Sequence, residues 1–221
     1  MNTFRHVSFV VIISVAVGLS QQTDNGLTIC RVKYPGGGDW YSDPSSLPNL
    51  LNFISEKTNV IVSDREARAT LEDDEIFNYP YLYLTGHGNV RFSEKEISRL
   101  RTYLLGGGFL HADDNYGMDK SFRREMEHVF PDRAWVELPF DHPIYHIYFD
   151  FPNGLPKIHE HDGKPPSGLG LFNGKRLMVF YTNETDLGDG WEDPEVHKDP
   201  QEKRMAALRM GVNIFLYALS Q

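Results

Sequence analysis

Four short polar segments hold most of the groups in this chain that could do chemistry. They are Pro35-Gly36-Gly37-Gly38-Asp39-Trp40-Tyr41, Thr85-Gly86-His87-Gly88-Asn89, His111 through Gly117, and Asn183 through Asp193. Between them they carry His87, His111, Asp113, Asp114 and Asp189, with Asp39 and Trp40 in the first. Imidazoles beside carboxylates can move protons, ligate a metal or hold a polar ligand. Asp113, set after a run of glycines, could act as a nucleophile or as a general base with His87 or His111 beside it. An aspartate held by loop amides is equally a structural cap, and the cap is the preferred reading. The catalytic candidates are therefore His87, His111 and Asp113. The candidate ligand contacts are Asp39, Trp40, His87, Asp113, Asp114 and Asp189.

Other arrangements carry less. Cys30 is the single cysteine, so no intrachain disulfide can form, and after Leu27-Thr28-Ile29 it reads as a buried strand thiol. No Gly-x-Ser-x-Gly elbow occurs. His142 and His146 are four apart, but Pro143 and the aromatics around it predict an irregular turn instead of a helix face. His159 and His161 precede Asp162-Gly163-Lys164-Pro165-Pro166, which reads as surface loop. The acidic run from Asp186 to Asp193 lacks the register of an EF-hand and reads as a solvated loop anchored by Trp191. No cofactor is expected, although the histidine and carboxylate content is compatible with a divalent metal.

These groups must be positioned by the elements around them. Apolar runs alternate with amphipathic helical patterns, as in a largely parallel sheet covered by helices on both faces. Strands are predicted near Leu27–Tyr34, Asn59–Val62, Tyr81–Thr85, Phe109–His111 and Arg176–Thr182, and helices over Ser46–Lys57, Asp119–Val129 and from Pro200 onward. Ser63/Glu66 and Ser93/Glu96 each have capping-box spacing and predict two further helix starts, the second ending at Gly106-Gly107-Gly108. Residues 135 to 172 read as short strands and loops. Each of the four polar segments follows a predicted strand. In an open α/β sheet, ligands bind at the carboxyl ends of the strands, so all four segments should meet at one edge.

Composition narrows the class. The chain has 221 residues with 40% hydrophobic and 13% aromatic content, enough for one domain with a full core. A formal charge of -9 and no Lys/Arg run argue against a nucleic-acid backbone or an anionic membrane as partner. Residues 1–20 read as a signal peptide, with Arg5, an apolar run from Val7 to Val17 and small residues before Gln21. The expectation is an exported protein, periplasmic or extracellular, with one domain over residues 21–221 and no stable membrane span once the leader is cleaved.

The segments Tyr-Pro-Gly-Gly-Gly-Asp-Trp-Tyr (34–41), Gly-Gly-Gly-Phe-Leu-His-Ala-Asp-Asp (106–114), Asp-Leu-Gly-Asp-Gly-Trp-Glu-Asp (186–193) and Ala-Leu-Arg-Met-Gly-Val-Asn-Ile (207–214) resemble a bacterial domain-of-unknown-function family in the class I glutamine amidotransferase-like superfamily. The resemblance implies a three-layer sandwich with a flavodoxin-like, mostly parallel sheet and antiparallel additions between Trp135 and Phe172. Residues 106–114 would then correspond to the strand and turn that bear the nucleophilic cysteine in true amidotransferases. Here that turn offers Ala112, Asp113 and Asp114, so glutamine hydrolysis through a cysteine acyl-enzyme is excluded. The expected function is a ligand-binding or protein-binding module of the cell envelope, with a small molecule or an envelope protein as partner. The rival is a hydrolase, metal-dependent or using Asp113, acting on an envelope amide or glycan.

Overall fold

The structure is a computed structural model and describes residues 26–221. The signal peptide expected over residues 1–20 lies outside them. One seven-stranded sheet organises the chain, in the order β2-β1-β3-β4-β7-β6-β5. Its strands are β1 (Cys30–Val32), β2 (Ala67–Ala69), β3 (Tyr81–Gly86), β4 (Phe109–Asp114), β5 (Val136–Glu137), β6 (Ser167–Asn173) and β7 (Arg176–Asn183). The pairs β1/β2, β1/β3, β3/β4 and β4/β7 are parallel, while β6/β7 and β5/β6 are antiparallel. The antiparallel additions thus fall in the stretch expected to hold them. Six α-helices lie among the described residues: α1 (Ser46–Lys57), α2 (Glu94–Leu105), α3 (Asp119–Val129), α4 (Leu187–Trp191), α5 (Pro194–His197) and α6 (Gln201–Leu219).

Strand side chains alternate between two cores. Tyr81 and Tyr83 of β3 pack with Leu50 and Ile54 of α1, Val212 and Phe215 of α6, and Trp191. Leu82 and Leu84 pack on the opposite face with Leu100 and Leu104 of α2 and Phe122 and Met126 of α3. Helices therefore cover both faces of the sheet. Asn213, buried in α6, clamps the turn at Phe149 by donating to its carbonyl at 2.7 Å and accepting from its amide at 2.8 Å.

Two capping-box spacings have different outcomes. Ser93 and Glu96 form the reciprocal bonds and start α2, with Glu96 N–H donating to Ser93 Oγ at 3.1 Å and Ser93 N–H to Glu96 Oε2 at 2.7 Å. No helix follows Ser63. Glu66 instead receives the Nε of buried Arg31 at 3.1 Å, and residues 67–69 add a parallel strand beside β1. The ion pair and the ladder outweigh a box worth about 1 kcal/mol. The strand expected at Asn59–Val62 is reduced to one bridge between Val62 and Leu27.

The end of β4 also departs from expectation. The strand continues past His111 to Asp114, pairing Thr85 with Asp113 and Gly86 with Asp114. Residues 111–114 are therefore buried strand and not open loop. Cys30 is fully buried as expected. Gly106 follows the last turn of α2, and Gly107 takes a φ of +115°.

Candidate functional site

The carboxyl edge of the sheet is built around Arg31, a residue the sequence does not single out. Its guanidinium is 1% exposed. It donates to the Ser42 carbonyl at 2.8 Å, and to the Asp43 carbonyl and Ser46 Oγ at 3.1 Å each. These bonds fix the loop between β1 and α1, in which Asp43 adopts a left-handed φ of +54°. The Asp43 carboxylate takes Asn115 Nδ2 at 3.2 Å on both oxygens. Burial pushes its carboxyl up to about 8, and the charges of Asp189, Glu192 and Asp113 add to this while Arg31 opposes it.

The loop after β7 closes over Asp43. A Cβ placed on Gly188 would lie 2.8 Å from Asp43 Oδ2 and 2.7 Å from Tyr83 Oη, so no larger residue fits there without movement. Gly190 meets Ala207 of α6 just as closely, at 2.4 Å. Trp191 is fully buried and donates its indole N–H to the Ala207 carbonyl at 2.8 Å. The segment expected to be a solvated acidic loop is thus a short helix seated in the core. Its spacing of small and aromatic residues is packing chemistry.

Against this helix lies a cluster of histidines and carboxylates. His159 places Nδ1 at 2.8 Å from Asp189 Oδ2 and Nε2 at 3.0 Å from Asp199 Oδ2. Hydrogen bonds to Asp186 and Asp189 outweigh burial and raise its pKa to about 10, so the ring is an imidazolium at neutral pH. For Asp189, burial acts upward, but the His159 bond and the charges of His197 and His159 prevail and leave its carboxyl below the usual range. His161 Nε2 bonds Asp186 Oδ2, and its ring stacks on Tyr116 with centroids 4.5 Å apart. Glu192, 4% exposed, accepts from the Ser45 amide at 2.8 Å and its hydroxyl at 2.9 Å. His197 Nε2 stands 3.7 Å from Asp189 Oδ1. His159 and His161 therefore belong to this cluster and not to a surface loop.

Backbone strain gathers in the same place. Among the described residues, the non-glycine positions with positive φ are Asp43, Tyr116, Glu184, Asp186 and Lys198. Each is in the cluster or within two positions of a member of it. Such conformations cost about 1–2 kcal/mol apiece and persist where surrounding contacts impose them.

The residues expected at the site divide into four groups. His111 and Asp113 are fully buried. His111 bonds the Tyr81 hydroxyl through Nδ1 at 2.8 Å and the Thr182 hydroxyl through Nε2 at 2.9 Å, and burial lowers its pKa to about 3. It is therefore neutral at physiological pH, and its ring makes no bond to Asp113. Asp113 accepts from Thr182 Oγ1 at 2.5 Å and Gly188 N–H at 2.7 Å, with the Tyr83 hydroxyl at 3.4 Å. Burial raises it to about 7 despite the Thr182 and Gly188 bonds. It presents no surface to a ligand.

Asp114 points to the other face of the sheet, where it accepts from the Met118 amide at 3.0 Å and the Tyr181 hydroxyl at 3.1 Å. Its carboxyl is raised by burial. His87 pairs with Asp39 on the rim, Nδ1 to Oδ2 at 3.1 Å, and its amide donates to Asp39 Oδ1. Trp40 is half-buried, edge-on to Tyr41 with centroids 5.6 Å apart. His87 and Asp113 therefore share a sheet edge while engaging different partners. Of the residues expected there, only Asp189 enters the histidine–carboxylate cluster. Asp43, Asn115, His159, His161, Asp186, Glu192, His197 and Asp199 complete it. The one signal for them in the sequence is the density of acids between 186 and 193, because the other members come from separate loops.

Fold and site together define an α/β protein with a mostly parallel sheet and a mixed histidine–carboxylate cluster over the carboxyl ends of its strands. Residues 28–219 match the family described as a domain of unknown function, DUF4159, and the chain belongs to that family. Comparison with curated proteins finds no match. Among the described residues, no helix is long and apolar enough to cross a membrane.

Proposed function

We propose that the protein is an exported ligand-binding module of the cell envelope, holding a positively charged group in the acidic crevice at the carboxyl edge of its sheet. The carrying observation is the division of titratable groups. Asp43, Asp189 and Glu192 converge with His197 at the strand ends, while His111 and Asp113 are sealed beneath them. A crevice rich in carboxylates attracts cations and repels anions. The order β2-β1-β3-β4-β7, parallel throughout and covered on both faces, supports the amidotransferase-like three-layer sandwich. Where that scaffold carries its cysteine, this chain has Ala112, Asp113 and Asp114 as buried strand residues, which speaks against acyl transfer through a cysteine.

The test is calorimetric titration of metal-stripped protein with amino-sugar oligomers and lysine-bearing stem peptides, alongside their N-acetylated forms. The cationic forms are expected to bind and to lose ten-fold or more in affinity in Asp43→Asn/Glu192→Gln. Equal binding of cationic and N-acetylated probes would refute the reading. A metal-dependent hydrolase acting on an envelope amide or glycan is the second reading, favoured by the imidazole–carboxylate mixture alone. Turnover of either substrate, abolished by a chelator, would select it.

A further inference from the structure

We propose that Asp43, Asp189, Glu192 and His197 form a binding site for one divalent transition-metal ion of the zinc or manganese class. The inference rests on the crevice reading above and assigns it a specific occupant. One ligand atom from each of Asp43, Glu192 and His197 lies within 4.8 Å of the others, and the same holds for His159, Asp189 and His197. Atoms bound to one ion at about 2.0–2.2 Å are at most about 4.4 Å apart, so small side-chain rotations convert either set into a coordination shell. His197 is common to both sets.

The hydrogen-bond inventory points the same way independently of the clustering. Asp189 is 9% exposed, and its Oδ1, the atom facing His197, meets no hydrogen-bond donor. Asn115, 2% exposed, gives its Nδ2 to Asp43 and leaves its Oδ1 equally without a donor. The buried Asp186 Oδ1 is a third such atom in the neighbourhood. All three are acceptors, and buried acceptors are rarely left unsatisfied. A cation satisfies several at once.

Hydrogen bonding also separates ligands from their supports. His159 has both ring nitrogens occupied by carboxylates, Asp189 at 2.8 Å and Asp199 at 3.0 Å. It therefore acts as a positioning residue that holds Asp189 Oδ2 and leaves Oδ1 for the ion, the arrangement by which outer groups orient metal-bound carboxylates. Glu192 is oriented similarly through Oε1 by the amide and hydroxyl of Ser45. An imidazole with three carboxylates suits zinc, manganese or iron(II) better than calcium or magnesium, whose sites are built from oxygen alone.

The experiment uses the full chain without an affinity tag, stripped with a chelator and dialysed, then titrated separately with Zn2+ and Mn2+. One ion per chain is expected, raising the melting temperature by about 5–10 °C at a hundred-fold excess over Kd. His197→Gln and Asp189→Asn should each weaken binding ten-fold or more. His146→Gln, which alters an exposed His146–Asp150 pair outside the crevice, should bind like wild type. Should Asp189→Asn fail to fold, His197→Gln decides, since that residue is exposed. Absence of binding by folded wild type, or a loss below ten-fold in His197→Gln, would overturn the inference. Binding of the cationic organic probes to metal-stripped protein would still stand, so this failure is distinguishable from failure of the crevice reading.

Discussion

Asp113→Asn tests whether the carboxyl at the head of β4 is the sealed, proton-holding group the structure describes. In the fold its pKa stands near 7, against 3.8 ordinarily, because burial penalises the charge. Between those values the folded state keeps a proton that the unfolded chain has released. Raising the pH through this window therefore destabilises the protein. A displacement of that size corresponds to about 4 kcal/mol by pH 8 as an upper bound, and the effective dielectric of real interiors reduces it to about 2 kcal/mol. Asparagine keeps an acceptor for the Gly188 amide and can donate to Thr182, whose hydroxyl can turn to the Ala112 carbonyl at 3.3 Å. The variant should thus match wild type within about 1 kcal/mol at pH 5 and exceed it by about 2 kcal/mol at pH 8. For a chain of this size that is a relative gain in melting temperature of about 4–8 °C. Asp43 titrates in the same direction, and because the charge of Asp113 itself raises Asp43, its removal adds to the advantage of the variant at pH 8. Scanning calorimetry at the two pH values measures the effect. Identical pH dependence in both proteins would show Asp113 to be ionised throughout, and the description of a sealed neutral carboxyl would fail.

Three further outcomes are expected. Gly108→Val should cost about 3–4 kcal/mol, because a Cβ there meets the buried Tyr103 ring at 2.2 Å, whereas Gly163→Val enters open space with only the strain of a φ of +68°; comparable melting temperatures would contradict this. Cys30 is fully buried and its thiol is pushed up to about 12, so an aromatic disulfide reagent should label it only as the protein unfolds, and labelling at the unfolded rate in native buffer would refute its burial. Arg31→Met should lower denaturant stability by about 2–4 kcal/mol, since it leaves Glu66 with the half-exposed Arg68 as its cation and removes the donors that hold the Asp43 loop; a loss under about 1 kcal/mol would remove Arg31 from the centre of the site.

What the sequence determined by itself is local. The apolar periods of α1, α2, α3 and α6 and the buried runs of β3, β4 and β7 are properties of single segments, so their existence was legible, as was the gathering of polar loops at one sheet edge. Ser93 and Glu96 make their box because the one distant bond of Ser93, its hydroxyl donating to Glu72 at 3.1 Å, leaves the oxygen free to accept the Glu96 amide. Ser63 and Glu66 have the same spacing and do not, because Arg31, 35 positions from Glu66, claims its carboxylate. The site turned on the same physics. His111 and Asp113 stand out in the sequence by residue type and by their place after glycines, yet β4 runs on to Asp114 and pairs with β3 and β7, which buries both. Asp43, His159, Glu192 and His197 carried no joint signal, because they come from the loop after β1, the loop before β6 and the segment that runs from α4 into α5. Only packing of the Gly188–Trp191 turn between Asp43 and α6 brings them together. Periodicity reports which face of an element is apolar. Which carboxylate meets which histidine depends on contacts between distant segments, and these exist only once the sheet has formed.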